Sequence, residues 1–312
     1  MHVFLRLTFR SRVAALVCTA AAVLHHGAVH AQPGIPRTSP PAPSSEVFLV
    51  PLVGQGASLA AGAPRNITNR AGYDNQPAFS RDGRHVFYTS TRDDAQADIY
   101  RFEIAGNTTT RVTSTAPESE YSAYPTADGR AITVIRVERD STQRLWRVPL
   151  DGKPDEVLFA DTKPVGYFAQ PTDSTWVLFV LGSPVTMQMG YRGTGRTETV
   201  GRNIGRSLHR IPGTSRASVV QKGNAPWQVM EFDPFTRKFT PLVALPAGSE
   251  DVAWTDGNTL LVGSGSKLLR WARGSSGWTE IADYAGAGLR NITRLAVSPD
   301  ATMLAMVADP AK

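Results

Sequence analysis

The sequence predicts an all-β fold, a six-bladed propeller of four-stranded antiparallel blades closed by pairing of its N- and C-terminal strands. Three observations predict it. A unit of four short strands, roughly 40–50 residues long, recurs along the chain, and that period suits a propeller blade. The 27 Gly and 22 Pro interrupt the apolar runs at short intervals, and no stretch sustains a helical period. The last copy stops after two strands, and its missing half stands at the other end of the chain.

The chain opens on what reads as an export signal, residues 1–31. Arg6, Arg10 and Arg12 precede an apolar run over residues 13–24, and Val29-His30-Ala31 suits cleavage ahead of Gln32. The run is short and Ala-rich for a membrane span, so no stable span is expected. Cys18 is the single cysteine and lies inside this segment. Residues 32–312 therefore contain none, which excludes disulfides and cysteine-ligated metals from them. Losing three arginines and no acid takes the net charge from +6 to +3. Charges of both signs alternate along the remainder, leaving no nucleic-acid footprint. Residues 32–45, QPGIPRTSPPAPSS, read as an extended Pro/Ser-rich linker, and 46–312 as the propeller.

The clearest copy is residues 72–113, GYDNQPAFSRDGRHVFYTSTRDDAQADIYRFEIAGNTTTRVT. Its first strand runs to Ser80, and Asp82-Gly83 turns the chain into an alternating strand over 84–90. Asp-Gly is a strong turn signal, since Gly accepts the positive φ that tight turns need, and a hairpin around Gly106-Asn107 completes the blade. Residues 119–161 repeat this plan, as do 165–203. A fourth, fainter copy runs through SLHRIPG, SRASVVQKG and WQVMEFDPFTRKFTPLVAL, and a fifth covers 249–284. The sixth, ITRLAVSPDATMLAMVADPAK, lacks its outer hairpin, which residues 46–68 supply. Phe79, Phe87, Trp176, Phe179 and Trp254 are expected to fill the space between blades, each burial contributing roughly 1.5–3 kcal/mol.

The segments NQPAFSRDG, RLAVSPD and AWTDG, each followed by an apolar strand and a Tyr/Trp-Arg strand, resemble the repeats of TolB-like β-propellers. The resemblance covers nearly all of residues 46–312. It implies the propeller architecture and a location outside the cytoplasm, periplasmic or secreted. The same repeats occur in periplasmic scaffolds and in the propeller domains of prolyl-oligopeptidase-like enzymes. The α/β domain that precedes the propeller in TolB has no counterpart in this sequence.

In a propeller the first strand of each blade lines the central channel. The loops leading into those strands then share a face with the loops joining second to third strands. This places Tyr73, Asp74 and Asn75, Glu120 and Tyr121, Tyr167 and Phe168, Arg206 and Ser207, Glu250 and Asp251, and Asn291 around the channel mouth. With Asp93, Asp94, Asp98, Glu138 and Asp140 the face reads as aromatic and acidic, suited to a basic or amine-bearing partner.

Catalytic signals are weak. Neither GSGS (263–266) nor GSSG (274–277) fits the G-x-S-x-G elbow of serine hydrolases. Of the two histidines beyond the signal, His85 falls in a strand after a turn and His209 in a poorly matched strand, and both read as ordinary satisfied or exposed histidines. Asp74, Asn75, Glu120, Glu250, Asp251 and Asn291 could hold a divalent ion, as in lactonase-type propellers. Val165 and Ser207 interrupt that ring. The sequence thus points to a non-catalytic, monomeric binding scaffold without a cofactor or metal, meeting a protein, glycan or other cell-envelope partner at the channel mouth. The alternative is a metal-dependent lactone or ester hydrolase.

Overall fold

Turn-punctuated apolar runs of six to eight residues become strands that are covered on both faces, and these arrange as six antiparallel sheets around an axis. The computed structural model describes residues 44–92, 96–223 and 225–309. The export signal over 1–31, the linker as far as residue 43, and Asp93 and Asp94 lie outside the described residues.

Blade one comprises Tyr73–Phe79, His85–Thr91, Ala97–Glu103 and Thr108–Arg111, in that order from axis to rim. Blades two to five begin on Ser119–Pro125, Val165–Thr172, Ile204–Arg210 and Val252–Trp254, each followed by three antiparallel strands. Blade six is composite. Arg290–Val297 and Met303–Asp309 come from the end of the described chain, and Glu46–Val53 from its start. The pairing runs from Glu46 opposite Ala308 to Pro51 opposite Met303. Ala60–Ala61 and Arg65–Asn66 both pair with Glu46–Val53 and finish the rim. Ser45, assigned to the linker from sequence, already bonds blade one: its N–H donates to Gly72 O, and its carbonyl accepts from Asp74 N.

Strand alternation divides the buried side chains among six cores, one between each pair of neighbouring blades. Along Glu46–Val53, Val47 and Leu49 enter the core shared with blade one. Phe48, Val50 and Leu52 enter the core shared with blade five. A single strand therefore belongs to two cores, which explains why VFLV is a continuous apolar run rather than an alternating one. Phe79, Phe87, Trp176, Phe179 and Trp254 are all buried between blades, as the sequence predicts.

Backbone proximity is tightest where blades five and six meet. A Cβ on Gly263 would stand 2.2 Å from the Ile292 carbonyl oxygen. Only the missing side chain lets these strands approach so closely.

Candidate functional site

The six innermost strands surround a channel of about 450 Å³. A shared turn sets their register. Backbone N–H groups of Ser80, Thr126, Ile211, Thr255 and Ser298 each close the same first-turn hydrogen bond, to His85, Ala131, Arg216, Thr259 and Met303. Thr172 opens the equivalent turn in blade three. Four positions earlier in each blade stand Gln76, Ser122, Phe168, Ser207, Asp251 and Arg294, and all six line the channel. Two positions further along, Ala78, Tyr124, Gln170, His209, Ala253 and Ala296 line it as well.

Several of these strands are bulged at the channel. Pairing skips residues between Asn75 and Ala78, between Tyr121 and Tyr124, and between Thr293 and Ala296. At each skip one residue adopts left-handed backbone: Gln76 at φ 55°, Ser122 at 55° and Arg294 at 50°. Non-Gly residues take up this region at a cost and hold it where the surrounding structure fixes them. Here the Gln76 side-chain oxygen accepts from Thr89 Oγ1 and Ser122 N, both at 3.0 Å, tying blade one to blade two.

The charges in the wall are unevenly paired. Asp251 accepts from Arg206 Nε at 3.1 Å and from Arg206 Nη2 at 2.8 Å. Burial raises the Asp251 pKa, but the Arg206 hydrogen bonds and the Arg294 and Arg206 charges outweigh it and hold the carboxyl below its usual range. The Arg206 backbone N–H donates to Glu250 Oε1 at 2.6 Å, while Lys222 Nζ reaches Glu250 Oε2 at 2.9 Å. Arg294 Nη2 donates to Tyr167 Oη at 2.9 Å, with the guanidinium 4.9 Å from the centre of that ring. Burial pushes the Tyr73 phenol up to about 12, Tyr167 and Tyr121 adding to the rise and Arg294 and Arg206 opposing it. These couplings group the three tyrosines and two arginines at the mouth.

His209 Nε2 lies 3.0 Å from Ser207 Oγ, which also accepts from Val252 N. Burial pushes the imidazole down to about 4. An imidazole this weakly basic, beside a hydroxyl with 4% exposure, is poorly placed to activate a nucleophile. Among the described residues, no three His, Cys, Asp or Glu side chains group as a metal-ligand set.

The structure thus brings Tyr167, Phe168, Arg206, Ser207 and Asp251 from the predicted set into the channel wall. Asp74 and Glu120 are instead fully buried within the blades. Asp74 is bonded by Ser90 and Arg70, and Glu120 by Thr115 and Arg136. Burial raises the Glu120 pKa against the pull of those partners. Asn75 donates to Ser45 Oγ, and Asn291 to Asp309 at the surface. Of the further acids assigned to this face, Asp98 is buried and bonded by Arg111, and Glu138 is paired with Arg144. The channel is lined by Arg206 and Arg294 beside its one carboxylate, Asp251, and toward the first-turn end by Arg210 and by Arg81, which donates to the Thr126 and Pro125 carbonyls. Gln76, Ser122, Tyr124, Gln170, His209 and Arg294 were not singled out as channel residues. Each could have been found by counting back from the turn residue of its repeat.

The fold defined here is that of the TolB-like six-bladed propellers. The chain is similar to a candidate TolB from Agrobacterium tumefaciens, with TM-score 0.65 and 11% identity over 86% of this chain and 99% of that one. It is also similar to TolB from Acinetobacter baumannii, with TM-score 0.54 and 11% identity over 84% of this chain and 63% of that one. An oligogalacturonate lyase from Vibrio parahaemolyticus has the same architecture, with TM-score 0.51 and 10% identity over 85% and 97% of the two chains. By sequence, 121 residues (38% of the chain) are 31% identical to Tricorn protease homolog 1 of Streptomyces coelicolor, spanning 11% of that protein's length. No protein-family profile matches. Such identities show the fold, which is shared by binding proteins and enzymes.

Proposed function

We propose that the chain is an exported, non-catalytic binding scaffold that holds a protein or glycan partner at the mouth of its channel. The observation that carries this reading is the ring of channel residues. One backbone frame, repeated six times, presents an amide, two hydroxyls, an aromatic ring, a carboxylate and a guanidinium to the same open space. Such a site offers varied contacts around a cavity of ligand size. Tyr121, Tyr167 and Phe168 would supply the desolvated contacts that dominate affinity. Export past a leader cleaved ahead of Gln32, and action as a monomer, belong to the same proposal.

The hydrolase alternative draws support from the enzymes that share the architecture. It needs a cluster of metal ligands or an activated nucleophile; among the described residues no three His, Cys, Asp or Glu side chains group to hold a metal. The test is partner capture from envelope extracts by the purified protein. Tyr167→Ala with Phe168→Ala should weaken capture, whereas Asp151→Ala with Lys153→Ala, exposed in a blade-two loop at the opposite face, should not. Greater loss from the second pair would reverse the assignment of the binding face.

A further inference from the structure

We infer that the channel is a receptor for a carboxylate group, with Arg294 as its anchoring cation; this rests on the channel being a binding site. The evidence is an excess of positive charge, because Arg206 and Arg294 share the one carboxylate of Asp251. The Arg294 side chain retains 17% of its exposure, so the cation is held in a partly dehydrated setting. A desolvated cation is stable when an anion or several hydrogen-bond acceptors replace that water. The nearest carboxylate oxygen, Asp251 Oδ1, is 3.9 Å away, beyond hydrogen-bond reach, and Arg206 already donates to both Asp251 oxygens. The one hydrogen bond described for the guanidinium goes to a neutral phenol, Tyr167. Arg294 lines the channel, and its five-donor fork has capacity for an acceptor beyond that phenol.

Three features make this a built site rather than a stray surface charge. Arg294 occupies the ring position filled elsewhere by Gln76, Ser122, Phe168, Ser207 and Asp251, and so faces the axis. Its backbone is fixed in left-handed geometry at φ 50°, and its side chain rests on the Tyr167 ring, which limits its freedom before any ligand arrives. Beside it stands a second channel arginine, Arg206, and the two share one carboxylate, Asp251. The Gln76 amide oxygen is held by Thr89 and Ser122, which leaves its NH₂ group to donate. A planar carboxylate matches a guanidinium fork with two parallel bonds, which favours it over a spherical anion. The channel's volume of about 450 Å³ admits a peptide end or one to two sugar rings beyond the anchored group.

A carboxylate of this kind could come from a peptide or from an acidic sugar, and the experiment separates them. Calorimetric titration of the purified protein would use N-acetyl-Ala-Ala with a free C-terminus, its C-terminal amide, glucuronate, and glucose. The acid of at least one pair should bind about tenfold or more tightly than its neutral partner, the loss expected when a charge-assisted bond is removed. Added salt should narrow the difference. Arg294→Gln should abolish the discrimination, and Arg294→Lys should restore only part of it, with melting temperatures showing that both variants fold. Discrimination by the peptide pair alone assigns a peptide source, and by the sugar pair alone an acidic glycan. Equal binding of acids and neutral partners, no binding of any acid, or full discrimination in Arg294→Gln would overturn the inference. Should partner capture still depend on Tyr167 and Phe168 in that case, the binding-scaffold reading stands without it.

Discussion

Leu49 offers the sharpest test of how the ring is held closed. Its side chain is 1% exposed and packs with Val47, Ile67, Phe79, Val86 and Val307 in the core between blades six and one. Truncation to Ala removes buried methyl groups from a site bounded by strands on both sides, where collapse is restricted. The expected cost of Leu49→Ala is about 3 kcal/mol, within the range for buried leucines. Phe48 projects from the same strand into the core shared with blade five, and Phe48→Ala should cost about 3–5 kcal/mol. Val53 is 70% exposed at the strand's end, and Val53→Ala should change stability by less than about 0.5 kcal/mol. Equilibrium urea unfolding followed by tryptophan fluorescence measures all three, provided the slope is unchanged between variants. Two costly substitutions at adjacent, oppositely directed positions would show that the strand is covered on both faces. If only one of the pair is costly, the strand packs on a single face, and the argument for ring closure through Glu46–Val53 fails.

Three further outcomes are expected. Gly263→Ala should destabilise the protein by about 1–3 kcal/mol, because its Cβ would meet the Ile292 carbonyl, whereas Gly277→Ala, with open space around it, should be nearly neutral in the same melts. His209 is held at about 4 against an unfolded value of 6.5, so its contribution is complete above 6.5 and is lost as pH falls toward 4. Because His209 lines the open channel and keeps part of its hydration, that loss should be at most about 3 kcal/mol, and His209→Gln should flatten the stability profile over this interval while leaving neutral pH little changed. Arg206→Met leaves Asp251 buried without its two side-chain donors, and chemical denaturation at neutral pH should register a loss of about 2 kcal/mol or more. A variant as stable as the parent would mean that Asp251 is satisfied by other groups.

The repeats made the architecture readable because each blade repeats its turn chemistry. Asp82, Asp128 and Asp300 bond the hydroxyls of Ser80, Thr126 and Ser298 in the same way, and the half-blades at the two ends meet as their complementary lengths imply. The channel was harder to read. Plain alternation from the start of each inner strand selects Asn75, Tyr121, Tyr167, Arg206 and Glu250. In blades one and two the left-handed residue in the bulge advances the inward-facing position by one, to Gln76 and Ser122, while Phe168, Ser207 and Asp251 hold the matching channel positions in blades three to five. Bulges are local backbone events with no fixed residue type, so nothing in the pattern announced the shift. The acids misled for a different reason. Carboxylates near strand starts look solvated in a sequence, yet Asp74, Asp98 and Glu120 are buried between strands, with arginine partners from the loop leading into blade one (Arg70) or from another strand of the same blade (Arg111, Arg136).

The composite blade also has a kinetic consequence. Glu46–Val53 pairs with Met303–Asp309, so the contact that shuts the ring joins the two most distant described strands of the sequence. Blades one to five can each form from neighbouring residues, but this step must close a loop that contains all of them, and loop-closure entropy places it last. Until then two sheet edges stand open, the hydrogen-bonding row on Met303–Asp309 and the apolar strand meant for it. Both are templates for pairing with another chain. The hazard in making this protein therefore sits at one seam. Conditions that delay the meeting of its ends should yield exchanged or aggregated rings while the other blades remain well formed.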